Sequence, residues 1–397
     1  MKSYSSGLIA TLAVCQSALS SPTYQTTHEH PSNGICTDYK ISNTLNFEEL
    51  QWAVPPFKNN YDVVDLYSRM ANRNPSEFIT FTSSPKNVTK TYEIAATFCR
   101  PKKGTSGNDT TVLVATHGAG FDKRYWASTY KPEKYSFVYH ALEAGYPIFY
   151  YDRAGVGAST RTPNYSALPQ PQIQLLARMI SSIREGKYTD SVKASKVVVV
   201  GHSLGSFIST GILSNYPDLV EGAVLTGIAF PNMTDITNIL GKSGLTTFGG
   251  RLISSLPDST LPSNADTFDS SYLFFGDRYS YAQAFLHHPQ TEEEMAVADY
   301  SFRITQPYAV SEFASLGMGG VASPDFKGKV LMTAGQYDLL CGGDCYTTYK
   351  YGMQTTGVFT NPDVTVKEFV QAGAGHGTLY QEDNGMYEAV FDFLKTV

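Results

Sequence analysis

From Tyr92 onward, short runs of β-branched and aromatic residues alternate with longer stretches whose apolar positions recur at helical spacing. That alternation predicts an α/β fold, a mostly parallel central sheet with helices on both faces. The expected strands are 92–98, 111–116, 147–151, 196–200, 222–227, 329–334 and 364–370. Several read as continuous apolar runs, as parallel strands covered on both faces do. Residues 173–183 supply a crossover helix, 207–213 a second helix and 386–394 a terminal one. About a hundred residues separate the strands at 222–227 and 329–334, several times an ordinary crossover. The stretch 230–325 is therefore expected to be an inserted cap, splitting the core into 92–229 and 326–397. Its middle is crowded with aromatic residues, including Phe268, Tyr272, Phe274, Phe275, Tyr281 and Phe285. They form either the cap's own small core or a substrate-facing wall, and Phe274 and Phe275 are expected to line an apolar pocket. Residues 21–91, polar and marked by proline, are expected to pack on the core as an N-terminal extension.

The first twenty residues change the picture of where the chain works. Lys2 precedes the apolar stretch 7–15, too short to span a bilayer, and Ala18-Leu19-Ser20 offers a cleavage site. This is the pattern of a secretory signal peptide at 1–20, so an extracellular protein is expected, and no later segment is apolar enough for a membrane span. Cys15 would leave with the leader, and Cys36, Cys99, Cys341 and Cys345 would meet an oxidising compartment. Two disulfides are expected among three possible pairings; closeness in sequence favours Cys341–Cys345, leaving Cys36–Cys99. A zinc site has no Cys-x-x-Cys pair or suitably spaced His to support it, so no metal is expected. Glycosylation acceptor patterns occur at Asn87, Asn108, Asn164 and Asn232. With 42% apolar and 17% charged residues the chain should fold, and a net charge of −6 argues against a nucleic-acid partner.

Chemistry enters at Gly201-His202-Ser203-Leu204-Gly205. A serine hydroxyl attacks a carbonyl only when it is exposed and held beside a base. A sharp strand-to-helix turn exposes it, and such a turn demands small residues two before and two after the serine, here Gly201 and Gly205. The apolar strand before the motif and the helix at 207–213 after it supply that context.

With this motif in place, the sequence resembles the α/β-hydrolase family over roughly Tyr92 to the C-terminus, and within it secreted fungal serine esterases and lipase-like hydrolases. The resemblance implies a nucleophile, acid and base in that chain order. It places Asp338 as the acid after the strand that follows the cap, with Asp325 and Asp344 as weaker rivals. It places His376, in Ala374-Gly375-His376-Gly377, as the base; no other histidine follows Asp338. The oxyanion hole would use the backbone N–H of Leu204 and, from the turn His117-Gly118-Ala119-Gly120, that of Ala119, with Gly118 as the second choice. His117 is expected to brace this turn. The turn Asp152-Arg153-Ala154-Gly155-Val156-Gly157-Ala158-Ser159 resembles another family turn, and its glycines do not meet the dinucleotide spacing, so no cofactor is implied. A secreted serine hydrolase cleaving a small-molecule or lipid-like carboxylic ester or lactone is the first expectation. An acyltransferase or lactone-forming enzyme with the same triad, or an inactive binding protein on the same fold, are the alternatives.

Overall fold

The computed structural model describes residues 29–70, 80–82, 84–102, 110–230, 249–287, 289–315, 320–350 and 357–397. The leader expected at 1–20 lies outside them, as do Asn108 and Asn232. Ten strands are present among the described residues: β1 (Gly34–Glu49), β2 (Lys86–Pro101), β3 (Thr111–Thr116), β4 (Ile148–Tyr151), β5 (Lys196–His202), β6 (Gly222–Thr226), β7 (Gly250–Leu252), β8 (Leu273–Phe275), β9 (Lys329–Gly335) and β10 (Thr365–Gln371). Eight of them form one sheet in the order β1-β2-β4-β3-β5-β6-β9-β10. β1 and β2 pair antiparallel, as do β2 and β4; from β4 to β10 every pairing is parallel. Residues 112–115 of β3 and 197–200 of β5 are fully buried, covered on both faces, which explains their unbroken apolar sequence.

The crossover helix Pro169–Arg184 starts with proline in its first turn and buries Ile173, Leu176, Ile180 and Ile183. Their spacing of three and four residues lays one apolar stripe against the sheet. The terminal helix is Met386–Leu394, the range its periodicity predicts.

The N-terminal extension does more than pack on the core. β1 supplies an edge strand of the main sheet, matched to β2 along its whole length from Gly34 opposite Pro101 to Glu49 opposite Lys86. Cys36 faces Cys99 in this ladder and the two are disulfide-bonded, with Cα atoms 4.1 Å apart. Cys341 and Cys345 form the second disulfide.

Between β6 and β9, in the segment expected to form the cap, the described residues include the two-stranded ribbon of β7 and β8 and the helices Arg278–Phe285, Glu292–Arg303 and Val310–Ala314. Asp277 caps the first by accepting the N–H groups of Tyr279 and Ser280. Thr291 and Glu294 form a reciprocal capping box at the second. Phe274 belongs to a small buried cluster in which Phe268, Tyr272, Ile253 and Ala309 pack with Val156 and Ala167, which precede β5.

Asn164 corrects a sequence expectation. It is fully buried, its Nδ2 donating to the Ser271 carbonyl at 2.9 Å and its Oδ1 accepting the Val310 N–H at 2.8 Å. Both ends of the amide clamp cap to core, so the folded chain has no room for a glycan there. Asn87 lies exposed on β2.

Candidate active site

The parallel strands end on one edge of the sheet, and the turns that follow β3, β5, β9 and β10 carry the residues of interest. This is where open α/β sheets bind their ligands. After β5 the chain turns directly into the helix Leu204–Asn215. Ser203 at the turn has φ 53° and ψ −119°, a left-handed conformation that a serine adopts only under local constraint. Two close approaches impose it. A Cβ on Gly201 would lie 2.5 Å from Ser206 Cα, and one on Gly205 would lie 2.0 Å from the Thr116 carbonyl oxygen. Only glycine permits backbone contact at those distances. The Ser203 N–H is spent on the Thr226 carbonyl at 2.9 Å, which tethers the turn to β6. Leu204 is the first residue of its helix, so its N–H has no acceptor within that helix.

The turn after β3 lies alongside. A Cβ on Gly118 would fall 3.1 Å from Ser203 Cβ, which places the His117–Gly120 turn against the serine. His117 braces it: the Arg153 N–H donates to His117 Nε2 at 3.1 Å, so the ring proton sits on Nδ1, which donates to the Gly118 carbonyl at 2.8 Å. Burial and the positive charge of Arg153 push the His117 pKa down to about 3, keeping the ring neutral.

Asp338 and His376 come together from the turns after β9 and β10. Both carboxylate oxygens of Asp338 lie 2.9 Å from His376 Nδ1, and both side chains are fully buried. Asp338 Oδ1 also accepts the Leu340 N–H at 2.9 Å, fixing the carboxylate plane. A proton on Nδ1 leaves the Nε2 lone pair available, and Nε2 has no hydrogen-bond partner. The two turns are laced by the Tyr337 N–H donating to the Ala374 carbonyl at 2.9 Å. The cap reaches the same place: the Phe285 ring meets the His376 ring edge-on at 5.1 Å, and the Phe285 carbonyl accepts the Gly377 N–H at 2.7 Å.

A second histidine, His202, packs beside His376 with ring centroids 4.9 Å apart and stacks on Tyr125 at 4.4 Å. The Thr226 hydroxyl donates to the Gly201 carbonyl, so it accepts from His202 Nδ1 at 3.1 Å. Burial first, and then neighbouring His376 and His117, hold the His202 pKa well below its ordinary value.

Phe275 is fully buried, packed edge-on against Phe285 at 5.4 Å and close enough to Gly120 that a Cβ there would lie 3.0 Å from its ring. It stands one ring behind His376, whereas Phe274 lies in the separate cluster with Val156 and Ala167. Among the described residues no group of three or more His, Cys, Asp or Glu side chains is gathered as a metal site would require, and no helix is long and apolar enough to cross a membrane.

Sequence reasoning left the packing of His202 and Phe285 around His376 unnoticed, together with a buried network on Arg153. Arg153 Nη1 donates to Gln172 Oε1 at 2.7 Å and pairs with Glu312 Oε1, while Gln172 Nε2 donates to the same Glu312 oxygen at 2.8 Å. The one sequence signal was an arginine inside the Asp-x-x-Gly-x-Gly turn. Its partner lies 159 positions away.

The model of the Alpha/beta hydrolase family matches residues 112–390. Abhydrolase domain-containing protein abhd-5.2 of Caenorhabditis elegans is 30% identical over 113 residues, 28% of this chain and 22% of that protein's length. Among solved structures, a thermophilic esterase from Thermogutta terrifontis aligns with 16% identity and a TM-score of 0.47, covering 77% of this chain and 94% of that one. A bromoperoxidase from Bacillus anthracis aligns with 16% identity and a TM-score of 0.44, covering 76% and 96%. The family match runs from β3 to the terminal helix and spans most of the chain, which therefore belongs to the alpha/beta hydrolase family.

Proposed function

We propose that this alpha/beta hydrolase is a secreted serine hydrolase that cleaves a carboxylic ester or lactone through an acyl-enzyme. One observation carries the reading: His376 has Nδ1 committed to the Asp338 carboxylate and Nε2 unpartnered, on the same sheet edge as a serine held in a strained strand-to-helix turn. In this reading His376 Nε2 takes the Ser203 proton as Oγ attacks the acyl carbon. The N–H groups of Leu204 and Ala119 receive the developing oxyanion. His376 then returns the proton to the departing alcohol, and water repeats the sequence to release the acid. Asp338 keeps the ring in the tautomer that accepts from serine and stabilises its cation.

Export is part of the proposal, supported by the leader pattern at 1–20 and by two disulfides. The exposed Asn87 remains a candidate glycan site.

A fluorophosphonate probe tests the nucleophile. Labelling of the wild type and not of Ser203→Ala is expected, and no labelling of the wild type refutes an active serine hydrolase. Incubating an ester panel in water with and without added alcohol then separates hydrolysis from acyl transfer. Predominant transfer product would replace the hydrolase reading by its acyltransferase alternative.

A further inference from the structure

The peptide between Gly118 and Ala119 is trans, as are all the described peptide bonds, so its C=O and N–H point in opposite directions. Whatever holds the Gly118 carbonyl therefore aims the Ala119 N–H. Two donors hold it: His117 Nδ1 at 2.8 Å and Arg153 Nη2 at 3.4 Å. On the other side of Ala119, the Gly120 carbonyl accepts the N–H of Gln306, a cap residue, at 2.8 Å.

Arg153 is in turn positioned by the cap. Its guanidinium is 1% exposed, and its Nη1 is shared between Gln172 of the crossover helix and Glu312 of the cap helix Val310–Ala314. Glu312 is 2% exposed, and the Ser311 hydroxyl beside it donates to the core Ala167 carbonyl at 2.8 Å. A charge pair of this burial is costly to desolvate and contributes little net stability compared with a well-packed apolar pair, although breaking it is expensive. The planar guanidinium nevertheless fixes orientation, because Nη1 is held by Glu312 and Gln172 while Nη2 reaches the Gly118 carbonyl.

We infer that Glu312 and Arg153 are positioning residues for acyl transfer: the cap, through Glu312 and the guanidinium, holds the Gly118 carbonyl and thereby aims the Ala119 N–H at the oxyanion. This rests on the serine-hydrolase reading of Ser203. Neither residue is placed on a reacting atom. The cap thus completes the catalytic geometry of the core as well as covering it.

The test uses the full chain and compares Arg153→Lys and Glu312→Gln with wild type in p-nitrophenyl butyrate hydrolysis and in inhibition by an alkyl trifluoromethyl ketone, whose serine adduct carries the oxyanion. Arg153→Lys keeps the charge and loses the fork; Glu312→Gln keeps the shape and loses the charge. Removal of an oxyanion donor costs about 100- to 1,000-fold in kcat, so misaiming one is expected to cost roughly 10- to 100-fold. KM should stay within about twofold, and ketone affinity should fall by the same factor as kcat. Glu312→Gln should lie between wild type and Arg153→Lys, and it carries the comparison should the lysine variant fail to fold. Unchanged kcat and ketone affinity in a folded variant, or a loss that falls on KM alone, overturns the inference while leaving the hydrolase reading intact. Failure of wild type to react with a fluorophosphonate overturns both.

Discussion

Replacing Asp338 by Asn tests the Asp338–His376 pair at the level of a single proton. Both carboxylate oxygens lie 2.9 Å from His376 Nδ1, so either orientation of an asparagine amide brings an N–H₂ group to that distance. That donor needs an acceptor, and Nδ1 can accept only if the ring proton moves to Nε2. On the proposed mechanism Ser203 would then meet an N–H where it needs a lone pair. Side-chain volume is nearly unchanged, and the Leu340 N–H can still be accepted by the amide oxygen, so the fold should survive. In Ser-His-Asp enzymes the wrong tautomer lowers kcat by about 10⁴-fold, equivalent to about 5.5 kcal/mol of transition-state stabilisation, and the proposed mechanism expects a loss of that order here. The assay is kcat on p-nitrophenyl butyrate near neutral pH, with melting temperature measured in parallel. A folded Asp338→Asn variant within tenfold of wild type would mean that Asp338 does not set the tautomer of the working base.

Other outcomes follow from residues already placed. His117 has its pKa lowered to about 3 by burial and by Arg153, so the unfolded chain binds a proton that the folded chain refuses. Its contribution to stability is complete above the unfolded value near 6.5 and is lost as pH falls toward 3; His117→Asn should therefore show a shallower fall of melting temperature over that window, and curves parallel to wild type would refute the linkage. The Cys36–Cys99 bridge spans 63 positions and Cys341–Cys345 only 4. Loop-closure entropy then gives about 4 and about 2 kcal/mol, so denaturant unfolding of Cys36→Ser/Cys99→Ser should show about twice the loss of Cys341→Ser/Cys345→Ser, and equal losses would sink the estimate. The shorter bridge stiffens the turn after Asp338, and its removal should also lower kcat; undiminished activity would show that the acid needs no such support. Phe275→Ala and Phe274→Ala should each destabilise by about 3–5 kcal/mol, but only Phe275, one ring behind His376, should alter the preference among acyl chains, measured as relative kcat/KM on an ester series. Equal preferences in the two variants would assign both rings to packing alone.

Much of the fold was legible because the parallel strands are covered on both faces and so write themselves as unbroken apolar runs. β3 begins and ends where its sequence pattern does, and so does the terminal helix. The strained turn at Ser203 was legible for a related reason: glycine is forced two residues to either side by backbone contacts that leave no room for a Cβ. β1 was not legible. Its second half carries Ser42, Thr44 and Asn46 exposed on one side, and its partner residues in β2 lie far along the chain, Ser42 facing Glu93 and Asn46 facing Thr89. Asn164 misled for the opposite reason, because an acceptor tripeptide reports local chemistry and nothing about the depth at which the amide will be buried. The Arg153–Glu312 pair had no periodicity to reveal it, since ion pairing across 159 positions exists only once the cap has docked.

The bond from the Gly377 N–H to the Phe285 carbonyl has a consequence for anyone who would re-engineer this chain. Cap exchange between relatives treats the insertion as a cassette with two splice points, chosen where it leaves and re-enters the sheet. Here the cassette is also stitched to the recipient in its interior, at a residue adjoining His376. A graft that preserved the splice points but replaced the segment around Phe285 would deliver a new specificity surface on a histidine that had lost its seat.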